Sequence, residues 1–211
     1  LVSAGRGRYG LGSRGGTLHT LVRSWAKAEA SLKPWQGGWL TVLVGHLARS
    51  NKTRRRGNER ALGLFGFAEV RTGLWVRPAN LRRTLSALRE DLVELGLDPD
   101  AICLDADQLA PETAVDAQTL WDTPALATRY RQNVERLAES TERLTTLDED
   151  ASARETLLVG RQVTRDILLD PLLPEPLVDV VARRAMIDAM RSYDQLGKAY
   201  WRRFFKREES A

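Results

Sequence analysis

The chain has 211 residues, 43% of them hydrophobic and 28% charged, with 8 Pro, one Cys and a formal net charge of +4 at neutral pH. That balance excludes collagen-like, low-complexity and wholly disordered chains, lone Cys103 excludes an internal disulfide, and no apolar run approaches the ~18 residues of a membrane span. The length suits one or two domains with a real core, and the expected setting is cytoplasmic, with no membrane partner. The charge is unevenly spread: residues 1–60 hold 12 Lys/Arg against 2 Asp/Glu, and residues 61–211 hold 20 against 26. The basic end is therefore a candidate contact for a polyanion. Met186 and Met190 are the only methionines, so Leu1 is expected to lie inside a longer protein.

Residues 1–16 are rich in Gly and Arg. Thr17 to Leu32 then places Leu18, Leu21, Val22, Trp25 and Ala28 on one face of a predicted connecting helix, and Pro34 marks a boundary because it disfavours helix at Lys33. Trp39 to Leu47 is apolar at nearly every position and reads as a central strand covered on both faces. A helix is predicted over Lys52 to Phe65. Phe67 to Arg77 alternates as one strand, with Val70, Thr72, Leu74 and Val76 on one side, Glu69, Arg71 and Arg77 on the other, and Trp75 interrupting the polar side. Asn80 reads as the N-cap of a helix carrying Leu81, Leu85, Leu88, Leu92 and Leu95, and Gly96 as its left-handed C-terminal cap. Ala101 to Leu104 adds a short strand. Strand, helix, strand, helix, strand suggests a small α+β sandwich of ferredoxin-like type.

Strand signals stop at Pro111. Leu126, Tyr130, Val134, Leu137, Leu144 and Leu147 mark a long amphipathic helix, Leu157 to Leu168 another, and Asp170 to Pro176 breaks the pattern. Leu177 to Phe205 is a last helix whose stripe through Met186, Met190, Tyr193, Tyr200 and Phe204 suits a core or a dimer seam.

Several strings occur in a particular order: Tyr9-Gly-Leu11 with Gly15, WQGGW at 35–39, FGF at 65–67, GLWVRP at 73–78, LWD at 120–122 with Tyr130, and DPLLP at 170–174. That order resembles the PaaX family, whose namesake represses a phenylacetate-degradation operon. The resemblance implies an α+β protein in three parts: the end of a winged-helix DNA-binding domain (1–33), a central ferredoxin-like domain similar to a CRISPR-adaptation nuclease (34–110), and an all-helical domain (111–211) that helps dimerise it. It also places the recognition helix upstream of Leu1. The function implied is transcriptional regulation, by a homodimer that represses from double-stranded operator DNA until a small effector such as an aromatic acyl-CoA releases it.

Candidate DNA contacts are Arg6, Arg8 and Tyr9 in a Gly-flanked hairpin, and Lys52, Arg54, Arg55 and Arg56 in the densest basic run. The run sits at a helix start, where cations oppose the macrodipole, so a phosphate partner is weighed against a solvated surface; the phosphates of DNA or of an acyl-CoA both fit it. Trp75, Arg77 and Trp121 are candidate effector contacts, with Arg77 as anion anchor in a cleft between the central and helical domains. A metal-dependent nuclease is an alternative, disfavoured because the end of the first central strand holds Gly45-His46 where such an enzyme places an acidic ligand. Asp105 and Asp107 read as turn formers, and His19, His46 and Cys103 have no metal-ligand spacing. No serine-nucleophile motif or phosphate-cradling Gly loop is present. The expectation is a non-enzyme without cofactor or metal; a ligand-sensing dimerisation module without DNA contact is the third reading.

Overall fold

In a computed structural model, the structure describes Val2–Ser3, Tyr9–Gly10 and residues 24–47 and 52–208. The described residues form two compact units, one of residues 1–122 with 169–177 and one of residues 123–168 with 178–211.

The first unit opens with an antiparallel hairpin of β1 (Val2–Ser3) and β2 (Tyr9–Gly10), with Ser3 opposite Tyr9. The connecting helix is not observed where it is described: Trp25–Lys27 and Glu29–Ser31 are single 3₁₀ turns. Residues 31–33 are drawn into pairing instead. Leu32 bridges Leu81, the Lys33 N–H donates to Asn80 O, and the Arg82 N–H donates to Ser31 O.

β3 (Trp39–Leu43) is the interior strand of a four-stranded antiparallel sheet of order β4-β5-β3-β6, with β4 at Ala68–Arg71, β5 at Leu74–Pro78 and β6 at Ile102–Ala106. Thr41 faces Val76 on one side and Leu104 on the other. The single strand expected over Phe67 to Arg77 is in fact the β4–β5 hairpin. Gly73 takes a φ of 78°, open to glycine at little cost, and its N–H donates to the Glu69 carboxylate at 2.6 Å. This turn is what completes the ferredoxin-like order. Without it the second crossover would have no strand beside β3 to start from.

α1 (Lys52–Leu64) and α2 (Leu85–Leu95) cover one sheet face, where Ala61, Leu62, Leu88, Leu92 and Leu95 close on Leu40, Val42 and Phe67. Asn80 does not cap α2. Thr84 does, accepting the Ala87 N–H at 3.2 Å, and Gly96 ends the helix at φ 118°, as its position suggests. α3 (Pro111–Gln118) covers part of the other face: Ala117 joins Trp39, Val70 and Val76, with Trp35, Leu120 and Trp121 packed around them. Trp35 meets Trp39 edge-on at 5.4 Å.

The 169–177 segment belongs to this unit although it lies between helices of the other. Pro171, Leu173 and Pro174 are buried, Asp170 accepts the Leu172 N–H at 2.7 Å, and Asn80 donates to Leu172 O at 2.7 Å. Gly66, at φ 72°, leaves room for it: a Cβ there would stand 2.5 Å from Pro171 O.

The second unit packs α4 (Thr123–Arg143), α5 (Glu149–Leu168) and α6 (Val180–Glu208). Leu126, Tyr130, Asn133, Leu137 and Ser140 are buried at alternating spacings of four and three, the stripe of a helix seated in a bundle. Small residues let α5 and α6 approach: a Cβ on Gly160 would meet Met190 Cε at 3.4 Å, and one on Gly197 would meet Thr156 Cβ at 3.3 Å. No helix among the described residues is long and apolar enough to cross a membrane.

Candidate functional site

The first turns of α1 put Lys52, Arg54, Arg55 and Arg56 at the surface, followed by Arg60. The helix is held by its other side, where Asn58, Ala61 and Leu62 are buried. Asn58 Oδ1 accepts the Asp98 N–H at 2.8 Å, which fastens α1 to the loop after α2. Asp98 in turn holds Arg54: Arg54 Nε lies 2.8 Å from Asp98 Oδ2, whose side chain is 1% exposed. A carboxylate that buried is costly without a cation beside it, so Arg54 is a positioned side chain and not a loose one.

Two hollows meet at this pair. One is a cleft of about 270 Å³ with Val44, Leu47 and Trp75 as apolar wall and Arg54, Arg55, Glu59 and Glu69 as charged rim. Trp75 stands opposite Glu69 across the β4–β5 ladder. Arg55 Nε lies 3.5 Å from Glu59 Oε1, an exposed pair one helical turn apart, worth little by itself. The second is a groove of about 430 Å³ between α1 and the end of α2, where Thr53, Arg56 and Arg60 face Gly96 and Pro99. Gly57 sets its depth, since a Cβ there would stand 2.7 Å from Gly96 O.

The structure thus brings Trp75, expected at an effector, together with Arg54 and Arg55, expected at a phosphate of DNA or of an acyl-CoA. It does not bring Trp75 together with Trp121, which packs on the opposite sheet face. Arg77 lines neither hollow. It is 1% exposed and donates through Nε to Pro78 O at 3.3 Å, through Nη1 to Phe65 O and through Nη2 to Asn80 Oδ1 at 3.0 Å, with the guanidinium 5.9 Å from the Phe67 ring centre. Burial pulls its pKa well below the usual guanidinium range, to about 9, so at neutral pH it is a buried cation held by carbonyl dipoles. Arg6 and Arg8 lie outside the described residues, as does the Tyr9 side chain, whose backbone pairs in β2.

His46, in the turn after β3, places Nε2 3.1 Å from Asp100 O. Cys103 is half-buried, and burial pushes its thiol up against the smaller opposing pull of Arg89. Among the described residues no three His, Cys, Asp or Glu gather closely enough to hold a metal ion.

Sequence reasoning missed Thr53, Asn58, Arg60 and Asp98. Arg60 had a signal, since it stands one helical turn beyond Arg56; Asp98 had none, because its partners come from another helix.

Residues 121–203 match a family model described as the PaaX-like protein C-terminal domain. In fold, the chain is similar to the uncharacterized protein Rv0674 from Mycobacterium tuberculosis, with a TM-score of 0.58, 20% sequence identity, 87% of this chain covered and 72% of that one. No match was found among curated proteins.

Proposed function

We propose, from the premise that this is a PaaX-like protein with its C-terminal domain over residues 121–203, that the chain is the sensing and dimerising body of a DNA-binding transcriptional repressor. The family match carries this reading. The placement of Lys52, Arg54, Arg55 and Arg56 on one exposed helix start supports it, because a duplex is first gripped through its phosphates. In this reading a homodimer sets one head on each half-site, and the hairpin bearing Arg6, Arg8 and Tyr9 adds a contact beside each head.

A small effector such as an aromatic acyl-CoA then releases the DNA, which requires that it bind the two states of the protein with different affinity. Of the expected effector contacts, Trp75 lies at a cleft, and that cleft is where we place the apolar part of the effector. Neither Arg77 nor Trp121 lines that cleft.

The test is anisotropy titration of the protein on DNA from its own promoter across a salt series. Replacing both Arg6 and Arg8 by Ala is expected to reduce the slope of log affinity against log salt by about 2, one unit for each phosphate that no longer meets an arginine. An aromatic acyl-CoA is expected to weaken binding at least tenfold in the parent and not in Trp75→Ala. Absence of any salt-dependent DNA binding refutes the reading.

A further inference from the structure

The two hollows beside α1 differ in charge balance. In the Trp75 cleft Arg54 and Arg55 face Glu59, Glu69 and Asp98. In the α1–α2 groove Arg54, Arg56 and Arg60 face a single carboxylate, Asp98, which Arg54 already neutralises. Among the described residues neither Arg56 nor Arg60 makes an ion pair. Two arginines one helical turn apart, with the Thr53 hydroxyl at the same wall, offer up to ten guanidinium N–H donors and one O–H donor to a single guest. The groove also begins at the first turn of α1, where the helix dipole adds positive potential.

We propose that this groove binds the phosphoryl group of a small phosphate ester, held by Arg56, Arg60 and Thr53. Arginine suits this guest because its planar fork meets phosphate oxygens two at a time. A hollow of about 430 Å³ lies within the range of small-ligand pockets. The inference does not depend on the DNA reading.

Calorimetric titration of the full chain with pyrophosphate tests it. Pyrophosphate is expected to bind and to raise the melting temperature. Arg56→Ala/Arg60→Ala is expected to weaken it at least tenfold, Thr53→Val about threefold, and the charge-matched pair Arg129→Ala/Arg131→Ala on α4 less than twofold. All four positions changed to Ala are exposed, and unchanged melting of the ligand-free variants verifies folding. No pyrophosphate binding, or equal losses in the two double variants, overturns the proposal. A promoter-duplex arm separates the two readings. If the Arg56→Ala/Arg60→Ala variant loses duplex affinity and the parent ignores pyrophosphate, the groove is part of the DNA surface and the proposal falls. If pyrophosphate binds the groove and no duplex binds, the proposal stands and the DNA reading falls.

Discussion

The α+β unit and the helical unit both bury polar side chains, and they divide them differently between backbone and side-chain partners. In the α+β unit the buried polar groups mostly serve backbone: Arg77 donates to Phe65 O and Pro78 O as well as to Asn80, Asn80 donates to Leu172 O, and Asn58 accepts the N–H of Asp98. In the helical unit they mostly serve one another: Ser140 donates to Glu155 at 2.8 Å and accepts from the Tyr193 hydroxyl at 2.6 Å, while Asn133 donates to Asp166 at 3.0 Å. The reason is the backbone itself. Helices satisfy their own interior N–H and C=O groups, leaving side chains to pair across the bundle. The loops around a small sheet leave carbonyls unpaired, and a buried carbonyl without a donor is expensive.

The contrast can be broken most severely at Arg77. Arg77→Met keeps the volume and the apolar stem but leaves Phe65 O and Asn80 Oδ1 without their donor, so a loss of about 3 kcal/mol is expected in urea denaturation. A neutral result would mean that these loops do not depend on the buried cation.

Gly66→Ala tests the same region through backbone, since it adds a Cβ 2.5 Å from Pro171 O at a left-handed φ. About 2 kcal/mol is expected to be lost, against no more than about 0.5 kcal/mol for Gly63→Ala, where open space surrounds the new methyl. In the helical unit Ser140→Ala removes one hydroxyl between Glu155, which keeps Arg143, and the buried Tyr193 hydroxyl, which loses its bond, and about 1.5 kcal/mol is expected from the same measurement.

The smallest effect is a pH dependence. Hydrogen bonds from Arg143 first, and from Ser140, hold Glu155 below its usual 4.5. A depressed carboxyl contributes stability above its unfolded pKa and loses it as the pH falls through the folded one. The denaturation midpoint is therefore expected to fall below about pH 4.5 more gently in Glu155→Gln than in the parent. Parallel acid limbs would show that this ion pair adds nothing.

The same contrast explains which elements were legible in the sequence. The stripe from Leu126 to Leu144 is set by the 3.6-residue period alone, and it and its companions mark all three helices of the bundle, although the first ends at Arg143 and the second begins at Glu149, eight residues before the expected start. Gly96 as a C-cap was equally local. The β4–β5 hairpin was not, because Phe67 to Arg77 alternates through the turn and only Thr72-Gly73 interrupts it. Asn80 resembles a cap by every local rule and is instead engaged by Arg77 and Leu172, the latter from a segment 92 positions away. At the candidate site the basic run could be read directly, while the division of its arginines between a mixed-charge cleft and an unbalanced groove could not.

The sequence by itself determined the α+β class, the stripes of the bundle helices, the basic start of α1 and the family resemblance, since each follows from composition or from neighbours within a few positions. Tertiary structure alone decided that 169–177 packs with the sheet unit, that Trp75 and Trp121 part to opposite faces, that Arg77 faces inward and that Asp98 claims Arg54. The first and last depend on polar pairings between residues far apart in the chain, Asn80 with Leu172 and Arg54 with Asp98; Arg77 turns inward to carbonyls left needing a donor, and the two Trp faces follow from the apolar cores that close on either side of the sheet.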